Sequence, residues 1–429
     1  MGRGLLILVS GLVMLVGIVK MTMSDRLQEL PDMTINYHQE MDAQNTANSL
    51  IEYGIEELKN NTNWRAGFSQ NNFMGADVNL QVFDYTDFQN NNPNIPADNS
   101  IQNWNQYTVL LVSKVQNDRA TAVTEVGLTM PSFSRFAYFT NVEPSGIYFY
   151  SSDTFNGPVH TNGQMQISGN PTFNGFVSSP NMWQGYSGSN NNNPQFNGGT
   201  NFNAGTIPMP TAGSLQPLRN QAANGGLNFN QDIRANFRNN GTVDISQPQG
   251  GGWGTPTNYD LSHYNGIISS SGKVFVQGTV NGRVTLHSSD EVRITGDIKY
   301  ASDPRKNSNS NDLLGIVSEG NVTVAYGAEN DSGNQDLQID ASILALGQFT
   351  VQYYWTGSPR GTLNLLGGVQ QQQRGPVGTF NSGGIQSGYS KAYTYDQRLA
   401  NTFPPAYPRT SSFAQLYWKE KPVKISSNY

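Results

Sequence analysis

No cysteine occurs anywhere in the chain, which excludes a disulfide framework and any thiolate metal site, so stability must come from burial and backbone hydrogen bonding. Charge is also scarce. Asp, Glu, Lys and Arg together make 13% of the residues, against roughly 25% in an ordinary soluble protein. The net charge is −6, and no Lys/Arg cluster stands out beyond the short tail segment 419–424. Nucleic acid is therefore not an expected partner, because phosphate binding needs a basic footprint. Only four histidines occur, His38, His160, His263 and His287, with no two at the spacing of zinc ligands. No Gly-x-Ser-x-Gly elbow and no phosphate loop is present, and no cofactor is implied.

What the chain does have is uncharged polar and aromatic material: 45 glycines, 20 tyrosines and 20 phenylalanines, with runs of Asn, Gln and Ser. Such a surface suits an extracellular β-rich protein. The N-terminus is different in kind. A short basic stub ending in Gly4 leads into an uncharged apolar run over 5–19, at or below the roughly 17–25 residues that span a bilayer comfortably. The run closes on VKMTMSDR and offers no A-x-A signal-peptidase site. Residues 37–58 then place Met41, Ala47, Leu50, Ile51, Ile55 and Leu58 at three- and four-residue spacings, predicting an amphipathic helix with one packing face. Pro31 and Gly54 are its weak points, since proline removes a helical hydrogen bond and should kink or interrupt the rod.

Past Trp64 the texture turns to β. Segments 78–85, 107–115 and 119–128 are rich in β-branched and aromatic residues, and the last two flank a tight turn at Asn117 and Asp118, predicting an antiparallel hairpin on the helix. From residue 134 onward, strands of three to five residues end on Gly, Asn or Asp with no helix between them. A first set covers 147–177 and a second 273–366. That pattern predicts a β-solenoid, each coil burying its inward side chains against the next, with a β-sandwich as the structural alternative. Between the sets, 178–263 is rich in Asn and Gly, with one helix expected at 213–223, and reads as an insertion. The expected organisation is mainly β: 1–60 a long N-terminal α-helix, 61–131 a small antiparallel module, 132–370 a parallel β-helix-like head, and 371–429 a capping segment. In that last segment Arg374, Arg398 and Asp396, with the proline-aromatic run 403–408, should cover an open end of the stack.

A short leader ending in Gly, an apolar half-helix and an amphipathic half-helix lying on a β-rich head resemble the layout of type IV pilins and pseudopilins. Further stretches resemble bacterial envelope proteins with a PilX-like N-terminus: NTANS at 45–49, WRAGF at 64–68, FAYF at 136–139, GPVHTNG at 157–163, ISGNP at 167–171, LLGIV at 313–317, RGPVG at 374–378, GYSK at 388–391, YDQRL at 395–399 and PPAYP at 404–408. The resemblance implies leader cleavage by a prepilin-peptidase-type enzyme directly after a leader glycine, Gly4 or, as the lesser alternative, Gly2. It also implies a filament-core helix carrying Leu5, Leu6, Val9, Leu12, Val13 and Val16. Most pilins carry a glutamate at the fifth residue of the mature chain; Val9 stands there instead.

Catalysis has little footing. The strand regions offer Asp153, Asp290, Glu291, Asp297, Glu319, Asp336 and Asp340, yet show none of the paired-aspartate or Arg-x-Lys patterns of polysaccharide-degrading β-helices, and glycoside hydrolysis needs two carboxylates a few ångströms apart. His160 reads as a hydrogen-bonded histidine in a turn stack. The expected protein is thus no enzyme but a structural subunit of a type IV pilus-like filament. It would sit in the inner membrane before assembly and at the cell surface afterwards. Its partners would be copies of itself in a helical homopolymer, or other pilins, with surface polysaccharide as a further partner of the head. The alternative is a membrane-anchored monomeric surface protein that binds polysaccharide or a host surface.

Overall fold

The structure, a computed structural model, describes residues 2–188, 191–326, 336–381 and 384–425; within the N-terminal helix, side chains are described at 14–21, at 23 and from 32 onward. The chain forms two compact units, Met1–Met130 with Ser412–Tyr429, and Pro131–Ser411, and is mainly β.

In the first unit, α1 (Gly2–Asn60) lies on an antiparallel sheet of β1 (Phe68–Phe73), β2 (Ala76–Phe83), β3 (Thr108–Gln116) and β4 (Ala120–Thr129). The face that α1 buries carries Ala43, Ala47, Leu50, Ile51 and Leu58, which pack on Val78, Leu80, Val109, Leu111, Val115 and Val126. Met41, expected on that face, points to solvent. The helix is not interrupted: its backbone runs through both Pro31 and Gly54. At Pro31 one lost hydrogen bond is a local cost within a long ladder. At Gly54 the missing side chain is what permits the packing, because a Cβ there would lie 3.0 Å from Leu80 Cδ2 and 3.3 Å from Leu111 Cδ1. The hairpin expected around residues 117 and 118 forms between β3 and β4, and Asn117 Oδ1 closes it by accepting from the Arg119 and Ala120 amides at 3.1 and 2.8 Å.

The expected capping segment divides. Strand Ala414–Glu420 pairs antiparallel with β4, so the end of the chain completes the first unit's sheet. Its earlier part lies against the coils of the second unit: Tyr407 is buried among Phe133, Phe139, Ile267, Val317 and Leu344, while Gly384–Thr394 pairs with Pro359–Gln373 on one side and Thr154–Phe155 on the other. No end of the stack is covered by this pairing.

The second unit stacks short strands in parallel, coil upon coil, on three faces. One face runs in space through Leu227–Phe229, Ile267–Ser270, Arg283–Ser288, Leu313–Ser318, Leu337–Ala345 and Pro359–Gln373, then through Tyr138–Val142, Val159–Thr161, Val177–Ser178 and Thr200–Asn201. The chain therefore enters the stack in its middle. It builds outward from 138 to 201, crosses over through the helix Gln216–Ala223, restarts at the far end, and returns until Val369 pairs with Tyr138 and Gln370 with Phe139. The Asn/Gly-rich segment 178–263 is thus partly built into the coils. Gln195–Phe196 and Thr200–Asn201 extend one end, and Ile233–Phe237 pairs with Val274–Val280 near the other.

A short repeat explains the outgoing half. Phe155-Asn156-Gly157, Phe173-Asn174-Gly175 and Phe196-Asn197-Gly198 occupy equivalent positions in successive coils. The rings stack at 5.4 and 5.1 Å between centroids, the amides form a ladder at 2.7 and 2.8 Å, and a Cβ at residue 175 would strike the Gly157 carbonyl. Ladders of identical side chains one strand spacing apart are the stabilising device of stacked parallel strands.

Candidate functional site: a bare helix and a cleft at the seam

The lower part of α1 is tied down. Gln44 Nε2 donates to Thr124 Oγ1 at 2.8 Å, Asn48 Nδ2 to Glu420 Oε1 at 2.9 Å, and Arg119 Nη1 to Asn36 Oδ1 at 2.9 Å. Toward the N-terminus from there the apolar side chains face outward: Met14 is 73% exposed, Leu15 63%, Val16 55%, Met21 72% and Met23 59%. Fully burying such residues is worth ~1.5–3 kcal/mol each, so a lone copy in water forgoes on the order of 10 kcal/mol. Of the residues assigned to assembly, Val16 lies on this exposed stretch; the side chains of Leu5, Leu6, Val9, Leu12 and Val13, and the environment of Gly4, lie outside the described residues, although the helical backbone includes them. Among the described residues no helix is long and apolar enough to cross a membrane.

Several of the titratable residues singled out in the sequence tie neighbouring coils together. His160 bonds Ser178 Oγ through Nδ1 at 2.7 Å and Asn162 Oδ1 through Nε2 at 2.9 Å. His287 bonds Ser269 Oγ at 2.9 Å and Glu319 Oε1 at 3.1 Å; despite the neighbouring carboxylate, burial pulls its pKa down to about 4, which keeps it neutral near pH 7. In that Ser-His-Glu row His287 and Ser269 are buried, and Glu319, at the row's outer end, also pairs with Arg219. Asp297, Asp336 and Asp340 accept backbone amides of neighbouring coils, from Gln338, Thr362 and Tyr300, at 2.8–2.9 Å, and Glu291 is held by Lys273, Arg293 and Thr323.

A concavity of the second unit carries no sign in the sequence, and its origin is topological. On another face of the stack the parallel strands run from Ile233–Phe237 to Phe349–Val351 and stop. A separate three-stranded sheet, Phe149–Tyr150, Gln166–Ser168 and Gln184–Gly185, takes up beyond the break. The break lies at the seam where returning and outgoing coils meet. A cleft of about 780 Å³ opens there, walled by Tyr148, Tyr150, Tyr186, Tyr354 and Phe380 and floored by Arg374 and Lys391. The rings brace one another: Tyr148 meets Tyr186 edge-on at 5.1 Å, and Tyr150 stacks on Phe380 at 5.6 Å.

The floor is a buried charge cluster drawn from both halves. Arg374 lies 3.8 Å from the Phe149 ring centroid, donates to the Tyr148 carbonyl at 2.9 Å and pairs with Glu143 at 3.4 Å. Lys391 pairs with Asp153 at 2.6 Å. Burial pushes the Glu143 carboxyl pKa up, opposed by Arg374, and pushes the Lys391 ammonium down, opposed by Asp153. Of the three charged residues expected to form the cap, Asp396 holds Arg398 at 2.6 Å, whereas Arg374 pairs with Glu143 instead.

Comparison with known proteins adds little beyond this geometry. Residues 111–181 match a family described as "Domain of unknown function (DUF4900)". No curated protein matches the chain. Among solved structures it is similar to that of the competence-associated pilin ComZ from Thermus thermophilus, at 12% identity and a TM-score of 0.31, over 84% of this chain and 87% of that one.

Proposed function

We propose that the protein is a structural subunit of an extracellular filament of the type IV pilus kind. In this reading it assembles through the N-terminal part of α1 and displays the coil stack of the second unit, a β-solenoid, outward. The observation that carries the reading is the division of α1: residues 36–58 are fastened to their own sheet, and the stretch above them presents Met14, Leu15, Val16, Met21 and Met23 to the surroundings. An exposed apolar stretch held by one end to a folded unit is suited to cover by a membrane or by like helices. In the bundle, packing rather than transfer from water drives association once the helix leaves lipid. The inner membrane before assembly, removal of the leader after Gly4 by a prepilin-peptidase-type enzyme, and other copies or other pilins as partners follow from the same reading. A role without catalysis belongs to the same reading.

The test is Val16→Asp and Val9→Asp in the producing cell, with sheared surface filaments viewed by electron microscopy and the subunit's N-terminus read by mass spectrometry. Filaments carrying a mature end just after Gly4, lost in both variants while the far-UV circular dichroism of the purified chain is unchanged, are expected. An intact Met1 confined to the membrane fraction would replace this reading with an anchored surface protein, and undiminished filaments from both variants would remove the helix from the core.

A further inference from the structure

We propose that the seam cleft is a binding site for an uncharged oligosaccharide chain, a role that goes beyond filament assembly and does not depend on it. A ligand for this cleft must suit two features at once. The walls are flat rings, several of them tyrosines that join an apolar face to a hydroxyl, and the floor carries cationic hydrogen-bond donors. A pyranose ring has that dual character: a face of C–H groups that lies against an aromatic ring, and a rim of hydroxyls that take and give hydrogen bonds. Tyrosine is suited to such half-wet contacts because one end is apolar and the other polar. The volume of about 780 Å³ falls inside the roughly 300–1,000 Å³ typical of sites that enclose small ligands.

Charge decides between a neutral and an acidic glycan. Both floor cations already have a carboxylate, Glu143 at 3.4 Å for Arg374 and Asp153 at 2.6 Å for Lys391, so the floor presents donors without a net positive field. An anionic sugar or a phosphate would displace those partners and leave their charges buried, which is costly. Lys391 lines the cleft, and its ammonium spends one donor on Asp153, leaving two further N–H donors.

The shape decides between a single sugar and a chain. A second depression of about 470 Å³ shares Ile147, Tyr354, Arg374 and Pro376 with the first and adds Tyr353 and Trp355. Trp355 is 60% exposed and meets Tyr354 edge-on at 4.9 Å. Tyr353 is held in the left-handed region at φ +52, a conformation that is costly for a bulky side chain, and its carbonyl is clamped by Arg360 Nη2 at 2.8 Å. The junction thus holds its rings in a strained, fixed arrangement that continues the groove out of the cleft, as a linear glycan would require.

The experiment is titration calorimetry of the full chain in detergent with cellohexaose, maltohexaose and chitohexaose as neutral probes and hexagalacturonate as the acidic one, on the wild type and on Tyr354→Ala, Phe380→Ala and Trp355→Ala. Binding of at least one neutral hexasaccharide is expected, weakened ten-fold or more by Tyr354→Ala or Phe380→Ala. Trp355→Ala, at an exposed position where folding is not at stake, should weaken the hexasaccharide more than the matching disaccharide. Binding of the acidic probe alone, no binding of any neutral probe at millimolar concentration, or equal affinity in the wild type and all three variants would overturn the proposal. None of these outcomes bears on whether filaments form.

Discussion

Arg374→Met puts the seam to its most direct test. Arg374 is 3% exposed, and among the described residues its guanidinium is the one charged partner of Glu143, at 3.4 Å; the other carboxylate oxygen of Glu143 is buried with no hydrogen-bond partner among them. Methionine fills much of the same volume without the charge, so the principal change is an orphaned carboxylate. Removing one member of a buried ion pair costs about 3–5 kcal/mol, and that is the expected loss for the second unit. The loss should depend on pH in a definite direction. Burial already pushes Glu143 upward and Arg374 opposes it; without the arginine the folded-state pKa rises further above the ordinary value near 4.3. The unfolded chain then releases the Glu143 proton before the folded one does, so the variant loses stability as pH rises from about 4.3 toward its new folded value. The gap between wild type and variant therefore widens as pH rises above about 4.3 into the neutral range. Urea unfolding across that range, followed by circular dichroism and tryptophan fluorescence, measures it. The double variant Glu143→Gln with Arg374→Met should regain most of the deficit at pH 8, since no charge is left to orphan. A single variant within 1 kcal/mol of wild type at pH 8, or a deficit independent of pH with no recovery in the double variant, would refute the account of the seam as a charge-closed joint.

Two further perturbations probe the stack. His287 is neutral in the fold, with its pKa drawn down to about 4 by burial, against about 6.5 when unfolded; protons therefore favour the unfolded state, and stability should fall as pH drops from about 6.5 to 4, by up to about 3 kcal/mol. The difference between wild type and His287→Gln in urea unfolding should shrink over that window, and a constant difference would contradict the assignment. Phe173 is fully buried between Phe155 and Phe196 in the ring ladder, so Phe173→Ala should cost about 3–5 kcal/mol, read as a lower urea midpoint for the second unit, and a loss below 1 kcal/mol would mean that the ladder contributes little.

Much of the local structure was legible because it rests on local rules. The three- and four-residue spacing from Ala47 to Leu58 reports the buried face of α1, and the β-branched runs around Asn117 report the hairpin. What escaped was set by contacts distant in sequence. No periodicity distinguishes a Gly54 that weakens a helix from one that lets Leu80 and Leu111 close on it; only the partner sheet decides. The return of Ala414–Glu420 to β4 carries no local sign, since a strand looks alike whichever edge it joins. The order of coils was invisible for the same reason, and with it the cleft, which exists only because Pro359–Gln373 meets Tyr138–Val142. One signal was there to be found. The threefold Phe-Asn-Gly at 155–157, 173–175 and 196–198 marks three successive coils, and a search for self-similarity would have fixed the outgoing half and shown 195–198 to be coil rather than insertion.

The mid-stack entry of the chain makes residues 369–373 a keystone. Strand Tyr138–Val142 emerges early in synthesis or export, and the neighbour that covers its open side arrives only with Gln370 and Gln371, whose side chains reach back to the Phe136 carbonyl and the Tyr138 hydroxyl across more than two hundred residues of chain. Until then the outgoing coils and the returning coils are two half-arches, each with a bare row of backbone donors and acceptors facing the other. Unpaired strand edges recruit whatever strand is nearest, and closure over so long a loop is slow. A nascent chain is therefore most exposed to mispairing with neighbouring copies just before the last coil locks.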